Sequence, residues 1–210
     1  MSDAAPMGLL APRVWVVDDD RSVASALSRV LRTAAVEVEV MHAPVSLLER
    51  LDREQPDCLL LDLWLGSACA LDLLPAIERQ PTYVPVVFLS AQADVTSSVV
   101  AMKHGAVDFL LKPVEPGPLL DAVIRAVARA RAWREAAETR AEAADRLASL
   151  TRRELEVFAQ VVLGKPNKRI AVELGTSEKT VKVHRGRVMH KLAAHSVVDL
   201  VRLDDRARGR

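Results

Sequence analysis

Three consecutive aspartates, Asp18, Asp19 and Asp20, stand directly after the apolar run Val14–Val17, and another, Asp62, ends the run Cys58–Leu61. Ser90 closes the run Val86–Leu89, and Lys112 closes Val107–Leu111. If those runs are strands of one sheet, their ends deliver acids, a hydroxyl and an ammonium to a single edge. Clustered carboxylates repel one another, and hard oxygen donors of this kind suit Mg²⁺. The metal would offset that repulsion and neutralise the oxygens of an incoming phosphoryl group. One carboxylate could then act as nucleophile and form an aspartyl phosphate. A lysine supplies a mobile point charge for one phosphoryl oxygen, and a hydroxyl donates a hydrogen bond to another.

The elements that must position these groups can be read from hydrophobic spacing. Between the strand-length runs lie Arg21–Arg32, Val45–Arg53, Leu71–Arg79 and Val95–His104, each with apolar residues three or four apart, as an amphipathic helix requires. Val36–Met41 is a further strand-length run, and a fifth helix is expected from near Pro118. Five β–α repeats with nearly continuous hydrophobic strands predict an α/β fold whose parallel sheet is covered on both faces. In such open sheets the ligand crevice lies outside the carboxyl ends of the strands. Asp20 has a second expected role, as a cap for the first helix.

The chain of 210 residues is long enough for two small domains, and its 50% apolar content suffices for two cores. Aromatics are only 3%, so those cores are expected to be aliphatic. The net charge of +1 hides an asymmetry: residues 1–120 carry −7 and residues 121–210 carry +8. An acidic module joined to a basic one makes the basic half the candidate for a polyanionic partner. No apolar run approaches the roughly 20 residues of a membrane span, and no secretory signal is recognisable. Cys58 and Cys69 are expected to be reduced thiols in a cytoplasmic protein.

Four regions are expected: a flexible tail over residues 1–12, a compact domain over 13–130, a helical Ala-rich linker over 131–147, and a second domain over 148–210. From Leu119 to Leu163 there is neither Gly nor Pro, and propensity favours helix throughout. Beyond it, Thr151 and Glu154 have the form of a capping box, and Gly164 should stop the helix they open. Asn167, Ser177 and Ser196 can cap three more. Four short helices, two of them joined by a Gly-containing turn, predict an all-α helix-turn-helix module.

The run VWVVDDD, the Asp62 of PDCLLLD, the Ser90 of VPVVFLSA and the Lys112-Pro113 of GAVDFLLKP together resemble the receiver domain of response regulators. The resemblance implies a five-stranded, flavodoxin-like, doubly wound sheet. It further implies that Asp62 is the phosphoacceptor and that Asp18, Asp19, Asp62 and the backbone carbonyl of Trp64 hold Mg²⁺. Ser90 and Lys112 would contact the phosphoryl group, the peptide before Pro113 would be cis, and Phe109 would be the aromatic that moves with Ser90. The family often has Met-Pro where this chain has Leu65-Gly66, and Gly where it has Ala70, so an altered loop is expected with the site retained. Trp64 is bulky for its position, and its indole would shield an acyl phosphate from water.

Residues 148–205 resemble the LuxR-type helix-turn-helix of NarL/FixJ-family regulators, the FixJ-like branch above all, through GxxNKxIAxxL and TVxVHRxxVMxK. Here Val181, Val188 and Leu192 form a stripe that should pack inward. Lys179, Lys182, Val183 and Gly186 share another face, where small and basic residues would let a helix lie in the major groove. Thr180, His184, Arg187 and Lys191 would flank it and reach phosphates, and Lys168 and Arg169 would add attraction to the backbone.

The resemblances together imply a regulator phosphorylated by a sensor histidine kinase, acting as a homodimer on double-stranded DNA, with RNA polymerase a further candidate partner and no membrane. Its only chemistry would be its own phosphorylation and dephosphorylation. Two rivals share some features. A haloacid-dehalogenase-type phosphatase would want a second acid two residues after its nucleophile, where this chain has Trp64. A phosphorylation-independent DNA-binding regulator would use the receiver only to dimerise.

Overall fold

The computed structural model describes residues 11–51, 53–92 and 95–209. The expected tail therefore lies outside the described residues except for Ala11 and Pro12. The chain forms two compact units, Met1–Arg134 and Glu135–Arg210.

In the first unit the apolar runs are strands: β1 (Arg13–Val17), β2 (Glu37–Met41), β3 (Cys58–Asp62), β6 (Val86–Ser90) and β7 (Asp108–Leu111), all parallel, in the order β2-β1-β3-β6-β7. A two-stranded antiparallel hairpin, β4 (Trp64–Leu65) and β5 (Ala68–Cys69), follows β3. With the hairpin left out, the strand order is the doubly wound, flavodoxin-like one. Alternate residues of each strand feed opposite faces. Val14, Val16, Leu60 and Val87 pack with α1 (Arg21–Thr33) and the start of α5 (Pro116–Ala148). Trp15, Val17, Leu59, Leu61 and Phe88 pack with α2 (Pro44–Leu51), α3 (Leu74–Glu78) and α4 (Val95–Lys103). Burial on both faces is why these strands read as unbroken hydrophobic runs.

One expected element differs. The segment expected as a single helix over Leu71–Arg79 begins as a 3-10 turn, Ala70–Leu73, and becomes α-helical only at Leu74. Pro75 lies in the first α-helical turn. A ring-locked φ and a missing N–H are tolerated there and not deeper in a helix.

The second unit contains the end of α5 and the helices α6 (Arg152–Val162), α7 (Asn167–Glu173), α8 (Glu178–Lys191) and α9 (Val197–Arg208). Its core joins Val157, Phe158 and Val161 of α6 to Ile170 of α7, Val181 and Val188 of α8 and Leu200 and Leu203 of α9. Ala143, near the end of α5, is buried in that core too, so the Ala seam there is packing surface. Thr151–Glu154 and Ser196–Asp199 form full capping boxes, and Ser177 caps α8. Asn167 does not cap α7 as expected. It is the first helical residue, and its Oδ1 accepts from Arg185 at 2.9 Å, tying α7 to α8. Pro166 at the cap position has no side-chain acceptor to offer.

Candidate functional site

The parallel register carries four chemical groups to one edge of the first unit. Asp18 follows β1, Asp62 ends β3 in the row that continues through Leu89 and Leu110, and Ser90 ends β6 one row further on, paired with Leu111. The Lys112 N–H donates to the Ser90 carbonyl at 2.7 Å, which sets the lysine beside that strand end. The peptide between Lys112 and Pro113 is cis, as expected.

Asp18, Asp19 and Asp62 each offer a carboxylate oxygen, and the three atoms lie within 4.8 Å of one another. Asp18 is fully buried and Asp62 nearly so, while Asp19 is exposed. The Lys112 ammonium bridges the two buried acids, at 2.7 Å from Asp18 Oδ2 and 2.9 Å from Asp62 Oδ2. Burial pushes the Asp62 carboxyl above the ordinary value, against the pull of Lys112 and the Trp64 N–H in the other direction. For Lys112, burial works to lower the pKa, but hydrogen bonds to Asp18 and Asp62 hold it above the usual ammonium value. Hard carboxylate oxygens converging at this spacing, two of them largely cut off from water, fit a small divalent cation.

Asp20 takes no part in the cluster. Its Oδ1 accepts from Ser22 N at 2.8 Å and Val23 N at 3.2 Å, capping α1. The Ser90 hydroxyl donates to the Gln92 carbonyl at 2.9 Å and accepts from the Gln92 N–H at 3.2 Å, so it is turned into its own loop. Phe109 is half-buried, its ring centroid 6.5 Å from that of Phe88. The altered loop after Asp62 is the β4–β5 hairpin. Gly66 there has φ 64°, a left-handed turn position that glycine adopts without steric cost, and its N–H donates to Asp19 Oδ2 at 2.8 Å. Trp64, on the same hairpin, is 54% exposed.

Two groups at this site escaped the sequence reading: the Gly66 N–H and His42. The His42 Nδ1 lies 2.8 Å from the Asp18 carbonyl. His42 directly follows β2, so the strand-end rule that picked out Asp62, Ser90 and Lys112 applies to it as well.

In the second unit, α8 turns Val181 and Val188 fully inward. Lys179, Lys182, Val183, Gly186 and Arg187 are exposed along the same helix, and Lys168 is exposed on α7. A Cβ built on Gly186 would meet nothing within 4 Å, so no internal contact among the described residues requires glycine there. Thr180 and His184 are half-buried. The Thr180 hydroxyl is 2.8 Å from that of Ser177 at the helix cap, and the His184 Nδ1 is buried with no hydrogen-bond partner among the described residues.

Lys191 is exposed as well, and its ammonium lies 2.7 Å from Oε2 of the buried Glu154 and 3.1 Å from the Ser149 carbonyl, because the end of α8 packs over the start of α6. Arg146 of α5 donates to the Leu192 carbonyl at the same helix end.

A doubly wound sheet with acids and a lysine at its strand ends, in one chain with a helix-turn-helix, defines a DNA-binding response regulator. Comparison with known proteins agrees. Residues 14–124 match the response regulator receiver domain, and residues 148–203 match the bacterial regulatory proteins of the luxR family. Nodulation protein W of Bradyrhizobium diazoefficiens is 38% identical over 192 residues, covering 91% of this chain and 85% of that protein. The structure of the response regulator StyR is 38% identical with a TM-score of 0.80, covering 94% of this chain and 100% of that one. Full-length FixJ from B. japonicum is 32% identical with a TM-score of 0.57, covering 95% and 98%. The chain belongs to the response regulators that join a receiver to a LuxR-type helix-turn-helix, and it is of the FixJ-like kind.

Proposed function

We propose that a sensor histidine kinase phosphorylates Asp62 and that this modification controls dimerisation and sequence-specific DNA binding, and so transcription. The observation that carries this reading is the Lys112 ammonium held between Asp18 and Asp62 at 2.7 and 2.9 Å, with Asp19 completing the acid cluster. Asp18, Asp19, Asp62 and the Trp64 carbonyl would hold Mg²⁺. When bound, the ion supplies positive charge to the acids and to phosphoryl oxygens.

The chain's own groups do the rest. Asp62 offers a carboxylate oxygen to phosphorus, and the new P–O bond forms as the donor's phosphorus–nitrogen bond breaks. Lys112 keeps an ammonium beside that oxygen, so negative charge gathering on the phosphoryl group meets a fixed cation. Ser90 turns from Gln92 to donate to a phosphoryl oxygen, and Phe109 moves inward with it. The face near α4 and α5 changes shape, two receivers pair, and two copies of α8 are presented to DNA half-sites related by the same two-fold axis.

On DNA, Lys179, Lys182, Val183 and Gly186 would lie along the major groove. Thr180, His184, Arg187, Lys191 and Lys168 would reach the phosphates, and RNA polymerase is a candidate partner once the dimer is bound. The boundaries proposed are residues 13–130 for the receiver, 131–147 for the linker and 148–210 for the DNA-binding domain. Among the described residues no helix is long and apolar enough to cross a membrane. The proposed location is the cytoplasm, with no chemistry beyond the protein's own phosphorylation and dephosphorylation.

The test is labelled phosphoramidate offered to the full chain. Uptake that needs Mg²⁺ and disappears in Asp62→Asn is the expected result. A chain that binds DNA but takes up no label would support a receiver that serves only to dimerise.

A further inference from the structure

Asp18 is held at four points. Its N–H donates to the Met41 carbonyl at 3.1 Å, its Oδ1 accepts from Asp20 N at 2.9 Å, and its Oδ2 accepts from Lys112 Nζ at 2.7 Å. The fourth is the His42 Nδ1, 2.8 Å from the Asp18 carbonyl. A carbonyl only accepts, so Nδ1 carries the hydrogen.

The origin of this contact is local. The β1–β2 ladder pairs Val17 with Met41 and stops there, and α2 begins at Pro44. The imidazole continues the ladder one step past the last paired residues. It grips the peptide that joins Asp18 to Asp19, the two acids that the first strand end contributes to the cluster. Rotation of that peptide plane would swing the Asp19 carboxylate, which among the described residues is otherwise tethered by the N–H of Gly66 at 2.8 Å.

We infer that His42 is a positioning residue for the metal-binding acids: it fixes the Asp18–Asp19 peptide so that both carboxylates face Asp62. The inference rests on the Mg²⁺ reading above. It names a group that acts through a backbone carbonyl and does not touch the ion. Partners of this outer kind commonly set metal affinity about tenfold or more. His42 itself is exposed, so its truncation leaves both cores intact.

The experiment is Mn²⁺ titration of the full chain, with free ion read by electron paramagnetic resonance, for wild type, His42→Ala and His42→Asn. The asparagine amide nitrogen can stand where Nδ1 stands, so it tests the hydrogen bond and not the ring. Expected are an about tenfold weaker dissociation constant in His42→Ala and recovery to within about twofold in His42→Asn. A parallel measurement follows labelled phosphate uptake against Mg²⁺ concentration. There His42→Ala should need more Mg²⁺ for half-maximal rate while keeping its rate at saturation. Wild-type Mn²⁺ affinity in His42→Ala, or no recovery in His42→Asn, overturns the inference. A wild-type chain that binds Mn²⁺ with these effects of substitution but takes up no phosphate would sink the phosphorylation reading and leave the role of His42 standing.

Discussion

At the scale of single residues, the exposed cations of α8 differ in what they already bind, and residue type does not tell them apart. Lys191 and Arg187 are both basic residues of α8, four positions apart. Both are exposed, but the Lys191 ammonium is paired with a buried carboxylate. Each lysine or arginine that neutralises a DNA phosphate contributes about 0.9 to the slope of log affinity against log salt. Arg187→Ala should therefore flatten that slope by about 0.9, and Lys191→Met should flatten it by less, because Glu154 already neutralises that ammonium, while lowering the thermal midpoint of the second unit. Binding titrations at several salt concentrations check both. A slope in Lys191→Met that flattens as far as in Arg187→Ala would mean that the ammonium leaves Glu154 for DNA.

The acid cluster was legible from sequence because strand ends are legible. Asp18, Asp62, Ser90 and Lys112 each follow an unbroken apolar run, and parallel pairing carries such ends to one edge. What stayed hidden depends on partners far apart in the chain. Nothing in the local pattern says that the Gly66 N–H meets Asp19, or that Arg185 meets Asn167. Asn167 has the chemistry of a cap and is placed near a helix start, so local rules alone misassign it.

At the scale of elements, α6 and α8 are joined by the Glu154–Lys191 pair as well as by their apolar faces. The Lys191 ammonium and the Thr151 N–H hold the Glu154 carboxyl down to about 2, from an ordinary 4.5. A carboxyl depressed in the folded state stabilises above its unfolded pKa and loses that contribution as pH falls through the folded one. Wild type should therefore melt higher than Glu154→Gln at neutral pH. The gap should be constant above pH 4.5, shrink below it and be nearly gone near pH 2. Circular-dichroism melts of the two proteins across that range are the check, and a gap that does not depend on pH contradicts the assignment.

Gly186 makes the opposite kind of test. A glycine in an exposed helix interior costs about 1 kcal/mol against alanine, and no neighbour among the described residues requires it here. Gly186→Ala should stabilise the unit by about that amount and weaken operator binding, because the added methyl stands on the face proposed to enter the groove. Stabilisation with undiminished affinity would remove Gly186 from the interface.

At the scale of the whole molecule, the charge asymmetry legible in the sequence acquires a structural meaning. The acidic half holds the carboxylate cluster, and the basic half holds α8 with its exposed Lys179, Lys182 and Arg187. The expected division between the halves was less legible, since α5 runs as one helix from Pro116 to Ala148 without a sequence break. Small alanines gave no sign that its end, at Ala143, is core to the second unit. A phosphate on Asp62 matters to transcription only if the two functions are coupled in the intact chain.

Selection of DNA from a random pool at fixed salt, with and without beryllofluoride and Mg²⁺, measures that coupling directly. Strong enrichment of a two-fold-symmetric site by the activated full chain is expected, with weak enrichment without activation and no response in Asp62→Asn. Equal enrichment of the same site under all three conditions would contradict it.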